Sequence, residues 1–128
     1  MRLLLDTHAF LWFYSGDDRL SRASKALIDD PTNECFLSIA SVWEMGIKTS
    51  IGKLELRVDF AGLAGFMATN RIELLPISFG HIQQLQHLPF HHRDPFDRLL
   101  IAQALTENLT LLSRDAVFPQ YEVLVKWE

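Results

Sequence analysis

Short apolar runs alternate with longer amphipathic stretches along the whole chain. Arg2-Leu3-Leu4-Leu5 is apolar after its first residue, ends at Asp6 and predicts a buried strand. Thr7 to Tyr14 (THAFLWFY) predicts a helix, broken at Gly16-Asp17-Asp18. Ser21 can cap a second helix to about Asp30, and Pro31-Thr32-Asn33 predicts a turn. Cys35 to Ser38 predicts the next strand. From Ser41 the spacing becomes helical, with Val42, Met45 and Ile47 on one apolar stripe that ends near Gly52. Asp59 to about Thr69 predicts a helix rich in small residues. Arg71 to Leu75 predicts a strand stopped by Pro76, and Ser78 a cap for a helix reaching Leu88. After a loop from Pro89 to Arg93, Asp94 to Asn108 carries the clearest helical pattern. Leu109 to Leu112 and Val123 to Val125 predict the last strands.

Strands that alternate with helices favour a parallel sheet covered on both faces, because parallel neighbours need crossover connections. The expected fold class is therefore α/β, with residues 1–128 forming one domain. In such sheets function collects at the carboxyl ends of the strands. Asp6 ends the first strand, and Asp115 lies just past the strand Leu109 to Leu112, so both are expected on one rim.

Composition narrows this picture. Apolar residues make up 48% and charged residues 22% of 128 residues, enough for a continuous core without disulfides or structural metal. Cys35 is the only cysteine, which excludes an internal disulfide and a multi-cysteine zinc site and fits a cytoplasmic location. Asp6 and His8 interrupt the first apolar run before it could form a signal-peptide core or a membrane span. A net charge of −4 argues against gripping nucleic acid by bulk electrostatics. It does not argue against a nuclease, because acids gathered at bound cations reverse the local sign.

Each candidate acid has two readings. Asp6 can cap the helix that starts at Thr7, or serve as a strand-end carboxylate facing a ligand. Glu44 stands four residues before Lys48, so it can form a surface ion pair or point toward the rim of Asp6. In Asp94-Pro95-Phe96-Asp97, Asp94 suits an N-cap and Pro95 the first helical position, which leaves Asp97 freer to face the rim. Asp115, in Ser113-Arg114-Asp115, reads alone as a loop carboxylate and gains weight from its position.

Together the acids carry more than any one of them. Two carboxylates about 4 Å apart repel by roughly 4 kcal/mol at an effective dielectric of 20, so a cluster needs protons or a cation. Hard oxygen donors without a nearby cysteine favour Mg²⁺ or Mn²⁺ over zinc. Such ions can activate water and stabilise the leaving oxygen of a phosphodiester.

Leu3-Leu4-Leu5-Asp6-Thr7-His8, Ser41-Val42-Trp43-Glu44, His92-Arg93-Asp94-Pro95-Phe96-Asp97-Arg98-Leu99-Leu100-Ile101-Ala102 and Leu112-Ser113-Arg114-Asp115 follow one another here as in PIN-domain proteins. The chain resembles especially the VapC-type toxins of bacterial toxin–antitoxin pairs, from Arg2 to its final strand. Each motif is short, and the order and spacing of the four give the resemblance its weight. It implies a three-layer α/β/α sandwich with a central five-stranded parallel sheet, and a Mg²⁺-dependent endoribonuclease. It also implies an RNA substrate and a cognate antitoxin that covers the rim. By the resemblance, Asp6, Glu44 and Asp97 match the core acids and Asp115 the less regular fourth. Ser113 matches the hydroxyl beside that fourth acid, and the role of Asp94 stays open. Asp6 and Asp97 are expected as direct metal ligands, with Glu44 and Asp115 acting through water.

Lys48, Arg98 and Arg114 adjoin these acids and are candidate phosphate contacts, although a solvated surface also explains them. Of His8, His81, His87, His91 and His92, only His8 invites a test, for its nearness to Asp6. Trp12, Phe13 and Tyr14 are consecutive and cannot all face one core. At least one is expected to be exposed or covered by a partner, which suits a homodimer interface or an antitoxin groove.

Three alternatives compete with this reading. A haloacid-dehalogenase-type phosphatase would need a second Asp where His8 stands. A receiver-like domain would need a late-strand lysine that has no match here. A non-catalytic PIN-fold interaction module would be expected to lack a core acid, and none is lost.

Overall fold

The computed structural model describes residues 1–54 and 57–127. Its sheet is built from β1 (Arg2–Leu5), β2 (Glu34–Ser38), β3 (Ile72–Leu75), β4 (Thr110–Leu112) and β5 (Val125–Lys126). All neighbours are parallel, in the order β3-β2-β1-β4-β5. Leu5, Leu37 and Leu112 stand level in register, so the carboxyl ends of the central strands form one edge.

The leucines of β1 explain its central place. Leu3, Leu4 and Leu5 are fully buried, and alternation sends them to opposite faces of the sheet. Leu3 and Leu5 join Phe10, Leu37, Met45 and Leu112 on one side. Leu4 joins Phe36, Leu100, Ile101 and Leu111 on the other. The first side is covered by α1 (Thr7–Ser15), α2 (Arg22–Asp29), α3 (Ile39–Ser50) and α4 (Phe60–Thr69). The second is covered by α5 (Phe79–Gln86) and α6 (Pro95–Glu107). These are the three layers, and five strands, that the resemblance implies.

Four expectations need correction. Helix α3 begins at Ile39, not Ser41, because Ser38 ends β2 and also caps the helix by accepting from the Ala40 amide at 3.0 Å. Ile47 lies off the apolar stripe and is exposed, since the buried side of α3 runs through Ala40, Ser41, Glu44 and Met45. Helix α5 stops at Gln86, short of Leu88. The final strand is Val125–Lys126, displaced from Val123 by a 3₁₀ turn (Phe118–Gln120) that brings the chain back beside β4.

The aromatic run of α1 finds cover within its own chain. Trp12 is buried, and Phe13 and Tyr14 pack half-buried against the same core. Phe66 of α4 meets both rings edge-on, at 5.8 and 4.9 Å between centroids. A helix of the same chain therefore covers part of both rings, and neither is fully exposed.

Candidate active site

The topology reverses at β1: the chain moves from β1 outward to β2 and β3, then returns to β4 on the other side. The loops after β1 and β4 diverge there, which opens a crevice at the strand ends. The Asp6 amide donates to the Leu112 carbonyl at 3.2 Å, so Asp6 and Ser113 leave the sheet side by side.

Asp6 satisfies both of its sequence readings. Its Oδ1 caps α1 by accepting from the Ala9 amide at 2.6 Å, while Oδ2 accepts from the Ser113 hydroxyl. Burial pushes its carboxyl above the usual range, against the opposing effect of these two hydrogen bonds and of nearby His8. Ser113 is itself buried and accepts from the Asp115 amide at 3.1 Å, so its hydroxyl links the first acid to the fourth. Asp115 is exposed and turns its own loop by accepting from the Val117 amide at 3.0 Å.

Glu44, on the second turn of α3, is buried against the start of α1. Thr7 donates to its Oε1 at 2.8 Å, and Ser41 Oγ lies 2.9 Å from the same threonine hydroxyl. Lys48 donates to Oε2 at 2.9 Å. The i,i+4 ion pair and the rim-facing position therefore coexist.

Asp94 caps α6, accepting from the amides of Phe96 at 2.9 Å and Asp97 at 3.2 Å. Asp97 then falls on the first turn and faces the rim. Its carboxyl is pushed up to about 7, first by burial and then by Asp94, Asp115, Glu44 and Asp6. These acids, drawn with Asp97 from four separate segments, thus lie within electrostatic reach of Asp97.

Among the described residues, no three His, Cys, Asp or Glu side chains are already gathered at ligating distance. The donor set nonetheless fits a hard divalent cation: carboxylates and hydroxyls crowd the rim, and positive charge would lower the raised Asp6 and Asp97. Cys35 is no competitor, because burial pushes its thiol up to about 11.

A cleft of about 330 Å³ opens beside the acids, lined by Asp6, His8, Trp12, Arg19, Arg114 and Asp115. The Arg114 guanidinium lies over the Trp12 ring, 4.5 Å from its centroid. Arg98 is placed elsewhere. It is buried, donates to the carbonyls of Pro89 (2.8 Å) and Leu88 (3.4 Å), and also donates to the Tyr121 hydroxyl. The expectation of a phosphate contact there is overturned, because α6 turns Arg98 away from solvent.

A family model described as the PIN domain matches residues 3–124. The chain belongs to the PIN-domain family. Solved structures similar to it include a VapBC2 complex from Rickettsia felis bound to a DNA fragment from its promoter, with TM-score 0.75, 18% identity and full coverage of both chains at 100%. VapBC-1 from nontypeable Haemophilus influenzae aligns with TM-score 0.66 at 16% identity, over 98% of this PIN-domain chain and 97% of that one. A toxin–antitoxin complex from Klebsiella pneumoniae aligns with TM-score 0.57 at 19% identity, over 88% and 86%. At these identities the likeness concerns the fold. A comparison with curated proteins gives no match.

The sequence gives Thr7 and Ser41 no role of their own, and it sets His92 aside in favour of His8. Thr7 holds Glu44 and Ser41 meets Thr7, and no spacing signal connects a hydroxyl on one helix to a carboxylate 37 residues further on. His92 Nε2 nevertheless lies 3.4 Å from Asp97 Oδ2. The segment between them turns through the Asp94-Pro95 cap, so helical periodicity does not relate the two residues.

Proposed function

We propose that this PIN-domain protein is a Mg²⁺-dependent endoribonuclease, the toxin of a toxin–antitoxin pair. The observation that supports the reading is the upward push on the Asp97 carboxyl from Asp115, Glu44 and Asp6, which come from three other segments, two of them lining the cleft. PIN-domain proteins are generally nucleases, and the similar solved structures include toxin–antitoxin complexes.

Asp6 and Asp97 would hold Mg²⁺, or Mn²⁺ in its place, with Glu44 assisting; Asp115 would act through water. The ion, when bound, supplies a Lewis acid for the phosphodiester oxygens and lowers the pKa of an attacking water. Ser113 holds Asp6 in place, and Thr7 and Lys48 hold Glu44. Exposed Arg114 lines the cleft, where a phosphate of the RNA strand can meet it. Lys48 is also part-exposed and can offer charge to the strand. Exposed Trp43 stands edge-on to Phe96 at 5.4 Å, between the helices of Glu44 and Asp97. That aromatic pair suits the antitoxin or a second copy of the chain, as a tight cover for the rim.

The test is a substrate panel of single-stranded RNA, single-stranded DNA and a small phosphomonoester, each with Mg²⁺ and with EDTA. RNA cleavage stopped by EDTA is the expected result. Turnover of the phosphomonoester alone, or silence on all three, contradicts the reading.

A further inference from the structure

We propose that His92 is a positioning residue for Asp97, donating a hydrogen bond from Nε2 to its carboxylate. This rests on reading Asp97 as a metal-facing acid. The hydrogens around Tyr121 fix the direction of the chain of contacts. The Tyr121 oxygen accepts from the His92 amide at 3.3 Å and from an Arg98 Nη at 3.2 Å. Neither donor can be reversed, since an amide and a guanidinium only donate. The Tyr121 hydroxyl hydrogen is then free to point at His92 Nδ1, 2.8 Å away.

A neutral imidazole that accepts at Nδ1 carries its hydrogen on Nε2. That atom faces Asp97 Oδ2 at 3.4 Å. The separation is long for a hydrogen bond, as hydrogen bonds at active sites often are before the site is filled. Among the described residues, no other side chain donates to the Asp97 carboxylate. Tyr121 also meets the ring edge-on, with centroids 5.5 Å apart. Tyr121 is in turn held by buried Arg98, which also donates to the Pro89 and Leu88 carbonyls before α6. Arg98 and Tyr121 therefore order His92, and His92 orients one oxygen of Asp97. Groups of this kind commonly set ligand orientation at metal sites.

The test combines His92→Ala, His92→Gln and Tyr121→Phe with three readouts. Long-range ¹H–¹⁵N spectra of the metal-free wild type, at about pH 8 where imidazoles are neutral, give the tautomer. They should show His92 protonated at Nε2, with a shift toward Nδ1 in Tyr121→Phe. Mn²⁺ binding should weaken about 10–100-fold in His92→Ala. It should stay within about threefold of wild type in His92→Gln, whose amide nitrogen can replace the Nε2 donor. Cleavage of RNA should lose kcat and keep KM in His92→Ala. An Nδ1-protonated wild type overturns the proposal, and so does Mn²⁺ binding by His92→Ala equal to wild type. Loss in His92→Gln as deep as in His92→Ala also overturns it. If His92→Ala fails to fold, the tautomer and the glutamine variant decide. A wild type that binds no Mn²⁺ removes the metal reading of Asp97 itself, and this proposal with it; a wild type that binds normally beside an unaffected His92→Ala removes this proposal alone.

Discussion

The Ser113 hydroxyl donates to the Asp6 carboxylate across the junction of β1 and β4. One short polar contact thereby joins the two loops that diverge at the reversal of the sheet. The same serine oxygen accepts the Asp115 amide, so the first and fourth acids share one anchor. Ser113→Ala should lower RNA cleavage about 10–100-fold by loosening both, with an unchanged circular dichroism spectrum. Activity within twofold of wild type, as a rough bound, would show that Asp6 needs no such support.

Asp97 gives a pH dependence with a definite sign. Its folded carboxyl is pushed up to about 7 from an ordinary value of 3.8. Between those limits the folded protein holds a proton that the unfolded chain has released. The stabilisation is complete below the lower value and is lost as pH rises through the upper one. Asp6 is shifted in the same direction. The metal-free protein should therefore melt at lower temperature as pH rises from about 4 to about 8. Asp97→Asn should flatten that decline, and added Mg²⁺ should raise the wild-type melting temperature most at the alkaline end. Thermal melts across the range, with EDTA and with Mg²⁺, check both signs.

Thr7→Val keeps the shape of the side chain and removes the hydroxyl that donates to Glu44 Oε1. A buried carboxylate that loses a partner costs about 1–3 kcal/mol. Urea unfolding should show that loss, and cleavage should fall with it. Thr7→Ser should restore both.

The sheet was legible because Leu3, Leu4 and Leu5 form an unbroken apolar run, as a strand buried on both faces must. The Asp94 cap was legible because Asp-Pro at a helix start has a local physical cause. Ser38 misled: a residue that ends a strand and caps a helix leaves no loop between them, so the helix began earlier than its apolar stripe. The acids could be nominated one by one, and so could Lys48 beside Glu44 and Ser113 beside Asp115, but not the contact of Ser113 with Asp6. Thr7 and Ser113 reach their carboxylates through the tertiary fold, and His92 reaches Asp97 around a helix cap; periodicity in the chain encodes neither.

The two arginines should separate cleanly. Arg98 is buried on backbone carbonyls, so Arg98→Ala should cost about 1–3 kcal/mol of stability and leave RNA affinity of the folded protein unchanged. Arg114 lines the cleft over Trp12. Arg114→Ala should weaken RNA binding and reduce its salt slope by about one, with stability preserved. Fluorescence anisotropy over a salt series, paired with thermal melts, distinguishes the two.

Cleavage of single-stranded RNA in Mg²⁺ by the wild type and by folded Asp6→Ala and Asp97→Ala tests the central claim most directly. The account predicts wild-type cleavage abolished by EDTA, and a loss of at least about 100-fold in each variant. Full activity in a folded Asp6→Ala protein would contradict it.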